Sequence, residues 1–128
     1  MRKRLGMREL EVLQAVWKRG TATVREVWED LYPTRRLAYT TIATVMKDIE
    51  KKGYLTHTAR DRTYVYAPTV GREDVSRGMV AELVRTVYDG SAAKLVTTLI
   101  QHERLSEAEL DDIQLLIDAQ QREPDDGD

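Results

Sequence analysis

The chain has 128 residues, which is enough for one domain or two very small ones. Hydrophobic residues make up 41% of it, which argues against a wholly disordered chain, and the absence of cysteine excludes disulfides, thiolate metal sites, iron–sulfur clusters and cysteine nucleophiles. The longest uninterrupted apolar run covers only 64–67, so we expect neither a transmembrane helix nor a signal peptide. We therefore expect a cytoplasmic protein that does not insert into a membrane.

The net charge of −2 conceals a division between the two halves of the chain. Residues 1–68 hold 14 Lys and Arg against 8 Asp and Glu, a net charge of +6. Residues 69–128 hold 6 against 14, a net charge of −8. This division favours a basic N-terminal module that binds phosphates and an acidic C-terminal module that does not, although small domains also distribute charge unevenly by chance.

Apolar spacing and capping residues predict two short helices after a basic N-terminal arm. Apolar residues recur at helical spacing over 7–17, and Gly20 is expected to end this first helix. Thr23, with Glu26 three residues later, forms a capping box that opens a second helix. We expect Pro33 to end it, because proline lacks the N–H that a helix interior needs.

A third helix and a β-hairpin complete the predicted N-terminal domain. The helix is expected over about 39–52, where the apolar spacing again has a helical period. The segments 54–58 and 63–67 are rich in β-branched and aromatic residues and predict two strands, joined by a polar turn over 59–62. Three helices followed by a hairpin are typical of a winged helix-turn-helix domain.

The C-terminal part returns to a helical period and predicts three more helices, with Ser91 and Ser106 as N-terminal caps. The predicted fold is therefore mainly α with a small β-hairpin. We expect a winged helix-turn-helix DNA-binding domain over 1–70, a three-helix dimerisation region over 71–122 and a disordered acidic tail over 123–128.

The apolar stripes of the three C-terminal helices predict a dimer interface. A single winged helix buries too little surface for tight, selective DNA binding. Three helices in about fifty residues make a weak core alone. The alternative is that these helices pack back on the N-terminal domain. The residues expected to pair two copies are Met79, Val80, Leu83, Val87, Leu95, Leu99, Ile113, Leu116 and Ile117.

The exposed face of the predicted third helix is suited to a DNA groove. Small hydroxyl side chains near the helix start let the backbone approach the bases and can contact base edges or thymine methyls. Lysines further along the helix and arginines at the hairpin tip would meet phosphates. The predicted contacts are Tyr39, Thr40, Thr41, Ala43, Thr44, Lys47, Lys51, Arg60 and Arg62. The alternatives are that the threonines are ordinary surface, that Thr41 is partly structural and that Tyr39 packs on the preceding turn.

No cofactor or metal site is predicted. The only histidines are His57, expected on the hairpin, and His102, expected on a helix surface. His102 and Glu103 are adjacent in a predicted helix and so point apart, which makes a poor chelate. Trp17 and Trp28 lie on apolar stripes and are predicted to belong to the core.

Several segments together resemble the penicillinase and methicillin-resistance repressors of the BlaI/MecI type, from about Leu5 to Gln120. The match is carried by the joint order and spacing of the segments rather than by any single motif. They are Glu9-x-Glu11-Val12-Leu13-x-x-Val16-Trp17, Thr23-Val24-Arg25-Glu26-Val27, Ala38-Tyr39-Thr40-Thr41-Ile42-x-Thr44-Val45, Lys52-Gly53 and Tyr64-x-Tyr66.

The resemblance implies a homodimeric repressor whose C-terminal helices entwine and which binds inverted repeats in double-stranded DNA. It implies groove contacts at Thr40, Thr41, Ala43, Thr44 and Lys47. Some members carry a basic residue at the position of Ala43, and many carry arginine at that of Asp48. We therefore expect a different target sequence from that of the better-known members.

Members of this family are switched in two ways. Some are cut in the C-terminal helical region by a membrane metalloprotease sensor, and others sense copper through paired cysteines. The second way is excluded here because the chain has no cysteine. The first implies a sensor protease as a partner and a candidate cleavage site at Thr98–Leu99.

Three other functions are alternatives to a DNA-binding repressor. An enzyme is unsupported, since the chain has no Gly-rich phosphate loop, no H-E-x-x-H and no G-x-S-x-G motif. A winged-helix protein–protein adaptor would have lost its positive charge, whereas Lys47, Lys51, Arg60 and Arg62 are present. A small-molecule-responsive winged-helix regulator remains open.

Overall fold

The structure, a computed structural model, describes residues 3–122. Its elements follow the predicted order of three helices, a hairpin and three helices. They are α1 (Met7–Arg19), α2 (Val24–Arg35), α3 (Tyr39–Lys51), β1 (Leu55–Arg60), β2 (Thr63–Pro68), α4 (Arg72–Val87), α5 (Ala92–His102) and α6 (Glu107–Arg122). The tail 123–128, which we predicted to be disordered, lies outside the described residues, as does Arg2 of the basic arm.

Local signals account for the end of α1 and the start of α2. Gly20 follows α1 with a φ of 88°, a value that favours glycine, and its N–H donates to the Val16 and Trp17 carbonyls. The Thr23 hydroxyl accepts from the Glu26 N–H at 3.1 Å, while the Glu26 carboxylate accepts from the Thr23 N–H at 2.9 Å. Both predicted boundaries are confirmed.

The predicted end of α2 at Pro33 was wrong, because the helix continues to Arg35. Proline removes only its own N–H from the helical hydrogen bonds, and only two more residues follow it in α2. The helix is closed by Arg36, whose N–H donates to the Tyr32 carbonyl at 3.1 Å and whose φ is 24°.

The hairpin has a tighter turn than its sequence indicated. We expected a four-residue turn over 59–62, but β1 extends to Arg60, which pairs with Thr63 of β2. The loop is therefore just Asp61 and Arg62, with φ values of 50° and 67°. A two-residue loop with positive φ at both positions matches the right-handed twist of the two strands.

One hydrophobic core joins α1, α2, α3 and the hairpin. Ala22, between α1 and α2, exchanges backbone hydrogen bonds of 2.9 and 2.8 Å with Tyr66 of β2, which fixes the hairpin to the helices. Trp17 and Trp28 are half-buried against this core, as predicted. The buried residues are Val12, Leu13, Ala15, Val16, Ala22, Val27, Ile42, Val45, Met46, Ile49, Leu55 and Tyr66.

The chain forms two compact units, 1–79 and 80–128, with the boundary inside α4. The predicted boundary between residues 70 and 71 lies just before that helix. The mainly helical architecture with one antiparallel hairpin is the fold that the sequence predicted. No helix within residues 3–122 is long and apolar enough to cross a membrane.

The second unit has well-defined helix starts but no buried side chain among its described residues, 80–122. The Ser91 hydroxyl accepts from the Lys94 N–H at 3.2 Å, and the Ser106 hydroxyl accepts from the Glu109 N–H at 3.0 Å. Both predicted caps are therefore present. Local sequence determines where these helices begin, whereas their apolar faces stay largely exposed.

Candidate nucleic-acid interface

One face of α3 is held in the core and the other is exposed. Ile42, Val45, Met46 and Ile49 are buried, which turns the predicted DNA contacts of this helix outward. Thr41 and Ala43 are half-buried at the border of the two faces. The exposed contacts are Tyr39, Thr40, Thr44, Lys47 and Lys51.

The start of α3 has no side-chain cap, because the residue at the N-cap is Ala38. The first N–H groups of an α-helix have no partner within the helix, and they favour anions. Thr40 lies in this first turn, next to those donors. The helix start is therefore chemically suited to a phosphate or to the acceptor atoms of a base edge.

Tyr39 is positioned by the turn between α2 and α3. The Trp28 ring N–H donates to the Leu37 carbonyl at 3.0 Å, which fixes that turn. The Trp28 and Tyr39 rings meet edge to face with centroids 6.1 Å apart. Tyr39 nevertheless remains 46% exposed. It packs on the turn and also presents part of its surface to solvent.

A groove of about 470 Å³ lies between the start of α2, the exposed face of α3 and the hairpin. Three cations, Arg25, Lys47 and Arg62, line it, and none of its lining residues is acidic. The walls include the rings of Tyr39 and Tyr64. The other lining residues are Thr23, Val24, Ala43, Thr63 and Tyr66. This combination suits a phosphate-rich chain, which needs positive charge and hydroxyl donors.

A second groove on the same unit has a different electrostatic character. It measures about 430 Å³ and is lined by Arg8, Glu11 and residues 34–37. The Arg35 guanidinium there lies 2.7 Å from the Glu11 carboxylate, so its charge is compensated. The Arg36 guanidinium lies 5.1 Å from the centre of the Tyr32 ring. The groove beside α3 is therefore the better candidate for an anionic polymer.

The structure distributes the predicted contacts over neighbouring surfaces. Tyr39, Ala43, Lys47 and Arg62 line the groove beside α3. The remaining predicted contacts do not line this groove. Thr41 is half-buried, and the others are exposed on α3 or at the hairpin tip. These remaining contacts are Thr40, Thr41, Thr44, Lys51 and Arg60.

Sequence analysis missed Arg25 and Tyr64 as candidate contacts. Arg25 makes a 3.4 Å ion pair with Glu29 one helical turn away, but both side chains are more than half exposed, so this pair holds Arg25 only weakly. Tyr64 is 47% exposed at the groove wall. The available signals were the position of Arg25 just after a capping residue and the alternation of Tyr64 with Tyr66 along β2.

Tyr66 is the structural member of the groove lining. It is almost completely buried, and burial raises the pKa of its phenol, with the negative charge of Glu50 and the neighbouring Tyr64 raising it further. Within residues 3–122, no group of three or more His, Cys, Asp or Glu side chains could hold a metal ion.

Comparison with known proteins agrees with this geometry. The family model described as "Penicillinase repressor" matches residues 5–119. The chain belongs to the penicillinase repressor family. The penicillinase repressor of Bacillus licheniformis is 27% identical over 110 residues, covering 86% of each chain. The transcriptional regulator BlaI of Mycobacterium tuberculosis is 33% identical over 108 residues, covering 83% of this chain and 78% of that protein.

Solved structures support the same family assignment. The DNA-binding domain of the repressor BlaI matches with a TM-score of 0.52 and 33% identity, covering 58% of this chain and 93% of that one. The Bacillus licheniformis BlaI monomeric form in complex with the blaP half-operator matches with a TM-score of 0.50 and 31% identity, covering 58% and 90%. A mutant MarR from E. coli bound to operator DNA, 14% identical with a TM-score of 0.53, shares the winged-helix fold.

Membership of this family makes the chain a DNA-binding transcriptional repressor rather than an enzyme. The prediction of a BlaI/MecI-type repressor with a winged-helix domain is thereby confirmed. The names of its relatives also fit a regulator of an antibiotic response.

Proposed function

We propose that the chain represses transcription as a homodimer on an inverted-repeat operator, with one winged helix on each half-site. The observation that carries this proposal is the groove beside α3, which has three cations and no acidic lining residue. The relative solved with a half-operator supports the assignment of one half-site to each copy. The uncapped start of α3 would enter the major groove, while the groove beside α3 would hold the DNA backbone.

Within this proposal the residues of α3 divide into two roles. Thr40 and Thr44 are exposed toward the helix start and would contact base edges. Lys47 and Lys51, one and two turns further on, would contact phosphates together with Arg60 and Arg62 of the hairpin tip. Ala43 offers only a methyl group, which would pack on a thymine methyl. Tyr39 and the half-buried Thr41 would border the contacted bases.

The dimer is supported by the apolar side chains that α4, α5 and α6 leave exposed. Of the predicted pairing residues, Leu95 and Ile113 are half-buried in the single chain. The others are between 41% and 71% exposed, namely Met79, Val80, Leu83, Val87, Leu99, Leu116 and Ile117. So many large apolar residues on short helices are costly in water unless another surface covers them. A second copy would provide that surface with matching symmetry.

The experiment that tests the proposal is recovery of bound fragments from fragmented genomic DNA. We expect the purified protein to retain, at physiological salt, fragments that share an inverted repeat. The genes beside those fragments would identify the regulated genes. Recovery no better than random, lost as the salt concentration rises, would contradict site-specific repression and favour the adaptor function.

A pair of variants separates phosphate contacts from base contacts. Lys47→Ala should weaken binding to every sequence and reduce the slope of log affinity against log salt by about one. Thr44→Ala should change sequence preference by roughly 1 kcal/mol or somewhat more at the affected base pair. Binding curves on the recovered operator and on random DNA measure both. Equal losses on both DNAs for both variants would contradict the division of roles.

Proteolytic relief is the regulation that the family resemblance implies. The candidate site, Thr98–Leu99, lies inside α5, where the Thr98 hydroxyl donates to the Lys94 carbonyl at 3.0 Å. A protease that binds extended substrate would need this helix to open locally. Exposure of cells to a cell-wall antibiotic should yield a shortened chain. An intact chain alongside derepressed genes would exclude this mode of relief.

A further inference from the structure

The hairpin and α3 are joined by a side-chain hydrogen bond that the proposed DNA contacts do not include. His57 of β1 places its Nδ1 2.8 Å from each carboxylate oxygen of Glu50, near the end of α3. The two side chains are 31% and 29% exposed, so solvent screens the pair only partly. Within residues 3–122, this is the one side-chain hydrogen bond between α3 and the strands of the hairpin.

The same histidine supports the wall of the groove. Its ring stacks on the Tyr64 ring, with centroids 4.1 Å apart and an interplanar angle of 19°. Tyr64 in turn lines the groove with Lys47 and Arg62. A continuous series of contacts therefore runs from Glu50 on α3, through His57, to Tyr64 on the hairpin side of the groove.

Because of the position of His57 along the hairpin, this pair can affect where the hairpin tip lies. Leu55 at the base of the hairpin is buried, and so is Tyr66, which pairs directly with His57 across the two strands. The strands are therefore held to the core up to the level of His57. The tip with Arg60 and Arg62 lies further out, and Arg60 is about 10 Å beyond His57 along the strand. A small change of angle at His57 would therefore displace the cations at the tip.

We propose that Glu50 and His57 form a positioning pair that fixes the angle of the hairpin against α3 and thereby places Tyr64, Arg60 and Arg62 against the DNA backbone. Neither member of the pair touches DNA. This inference depends on the proposed DNA-binding function, because it explains how the contacts of the hairpin are aligned with those of α3.

The direction in which one substitution changes DNA affinity distinguishes positioning of the hairpin from a simple charge effect. Glu50→Ala removes a negative charge close to a DNA-binding surface, and charge alone predicts tighter binding to a polyanion. Loss of hairpin alignment predicts weaker binding. Asp48 provides the matched control, since it is an exposed carboxylate on the same helix only two residues away.

The experiment measures affinity over a series of salt concentrations, on the recovered operator and on a random-sequence duplex of equal length. Glu50→Ala should bind about tenfold more weakly, with a salt slope reduced by about one to two, because hairpin phosphate contacts are lost. His57→Phe keeps a stacking ring without the N–H and should behave like Glu50→Ala. Asp48→Ala should bind the random-sequence duplex as tightly as the unmodified chain, or more tightly. Circular dichroism and melting curves verify that each variant is folded.

A double-mutant cycle separates positioning from general support of the fold. In a chain that already carries Arg60→Ala and Arg62→Ala, the further change Glu50→Ala should alter affinity by less than about twofold, because the contacts that it would misplace are gone. A pair that merely stabilises the fold would weaken binding by the same factor in both backgrounds and would leave the salt slope unchanged.

The results of these experiments distinguish failure of the positioning pair from failure of the proposed repressor function. Unchanged or tighter binding by Glu50→Ala, with the unmodified chain still selecting an inverted repeat, would overturn the positioning pair and leave the repressor proposal intact. Salt-sensitive binding without selection would contradict the operator proposal, while the salt slope on random DNA would still test the pair. A chain that bound no DNA would refute both.

Discussion

Twelve hydrophobic side chains are buried in the first compact unit, residues 1–79, whereas none is buried among the described residues of the second, 80–122. Both units consist mainly of amphipathic helices, so secondary structure alone does not distinguish them. The difference is the hairpin and the Ala22–Tyr66 backbone pairing, which close the first unit around its helices. The second unit has no equivalent covering element within those residues.

This difference teaches where each unit obtains its stability. The first unit buries enough apolar surface to fold around its own core, at about 1.5–3 kcal/mol for each large side chain removed from water. The second has about fifty residues, a size at which helices usually depend on oligomerisation, and no side chain is buried within its described part, 80–122. We therefore expect the first unit to fold on its own, whereas the second unit would complete its fold by association in the proposed dimer.

The largest expected effect is a core truncation in the first unit. Ile49 of α3 is completely buried. Ile49→Ala should lower the free energy of unfolding by about 2–5 kcal/mol, because it removes transfer energy and leaves a cavity. The unfolding transition of the first unit, followed by tryptophan fluorescence in increasing denaturant, measures this loss of free energy. The loss should be the same at every protein concentration, and a strong concentration dependence would contradict a self-contained core.

The next largest effect concerns the second unit and should depend on concentration. Leu99 of α5 is 45% exposed in the single chain, and in the proposed dimer it would be covered. Leu99→Asp should weaken dimerisation roughly 100-fold, about 2.7 kcal/mol, since it would bury a charge at the interface. Sedimentation equilibrium measures this change.

Thr97→Asp is the control for Leu99→Asp, because it adds the same charge to an exposed position of α5 outside the apolar stripe. It should leave the dimer unchanged. Equal weakening by both variants would indicate a general charge effect. A chain that is monomeric at micromolar concentration before any substitution would refute the dimer itself.

Sequence reasoning succeeded where the signal was local. The helices, the hairpin and the caps at Thr23, Ser91 and Ser106 follow from apolar periods and from side chains that bond within one turn. The end of α2 was misplaced because the effect of Pro33 depends on how much helix remains after it. A local pattern cannot supply that information.

The groove illustrates what sequence could not provide. Arg25, Lys47 and Tyr64 come from three elements far apart in the chain, and only the packing of the core brings them to one groove. The Glu50–His57 pair has the same origin, since no period along α3 or β1 encodes it. The exposed face of α3, in contrast, was predictable from the spacing of its buried residues.

A smaller effect is expected at Arg62, where the first unit has a positive charge in a backbone conformation that lowers its stability. Arg62 has a φ of 67°, a region that favours glycine, and it follows Asp61 in a turn for which Asp-Gly is a preferred pair. Arg62→Gly should raise the free energy of unfolding by about 1 kcal/mol. The same variant should weaken DNA binding and lower the salt slope by about one.

Arg62→Ala is the matched control for the expected gain in stability and loss of DNA affinity. It removes the same cation but keeps a Cβ at positive φ, so it should lose affinity without gaining stability. Thermal melts and salt-dependent binding of the three chains give both quantities. Equal stability of the glycine and alanine variants would show that the backbone at the tip carries no strain.

The smallest effect concerns a Glu–Lys pair of the first unit and its loss in acid. Burial alone would raise the pKa of Glu9, but hydrogen bonds from Lys52 and from the Gly6 N–H, with the charge of Lys52, lower it below its usual value. The Lys52 Nζ lies 2.7 Å from the Glu9 carboxylate and also donates to the Arg4 carbonyl at 3.1 Å, so this pair ties the N-terminal arm to the first unit.

Because the pKa of Glu9 is lower in the folded chain than in the unfolded one, its contribution is complete above the ordinary glutamate value of 4.5 and is lost as the pH falls through the lowered value. Glu9→Gln should therefore cost about 1 kcal/mol near neutral pH, and the difference from the unmodified chain should shrink on acidification below that value. Urea unfolding of both chains at a series of pH values measures it. A difference that stayed constant or grew in acid would show that the Glu9 carboxylate gains no stability from Lys52.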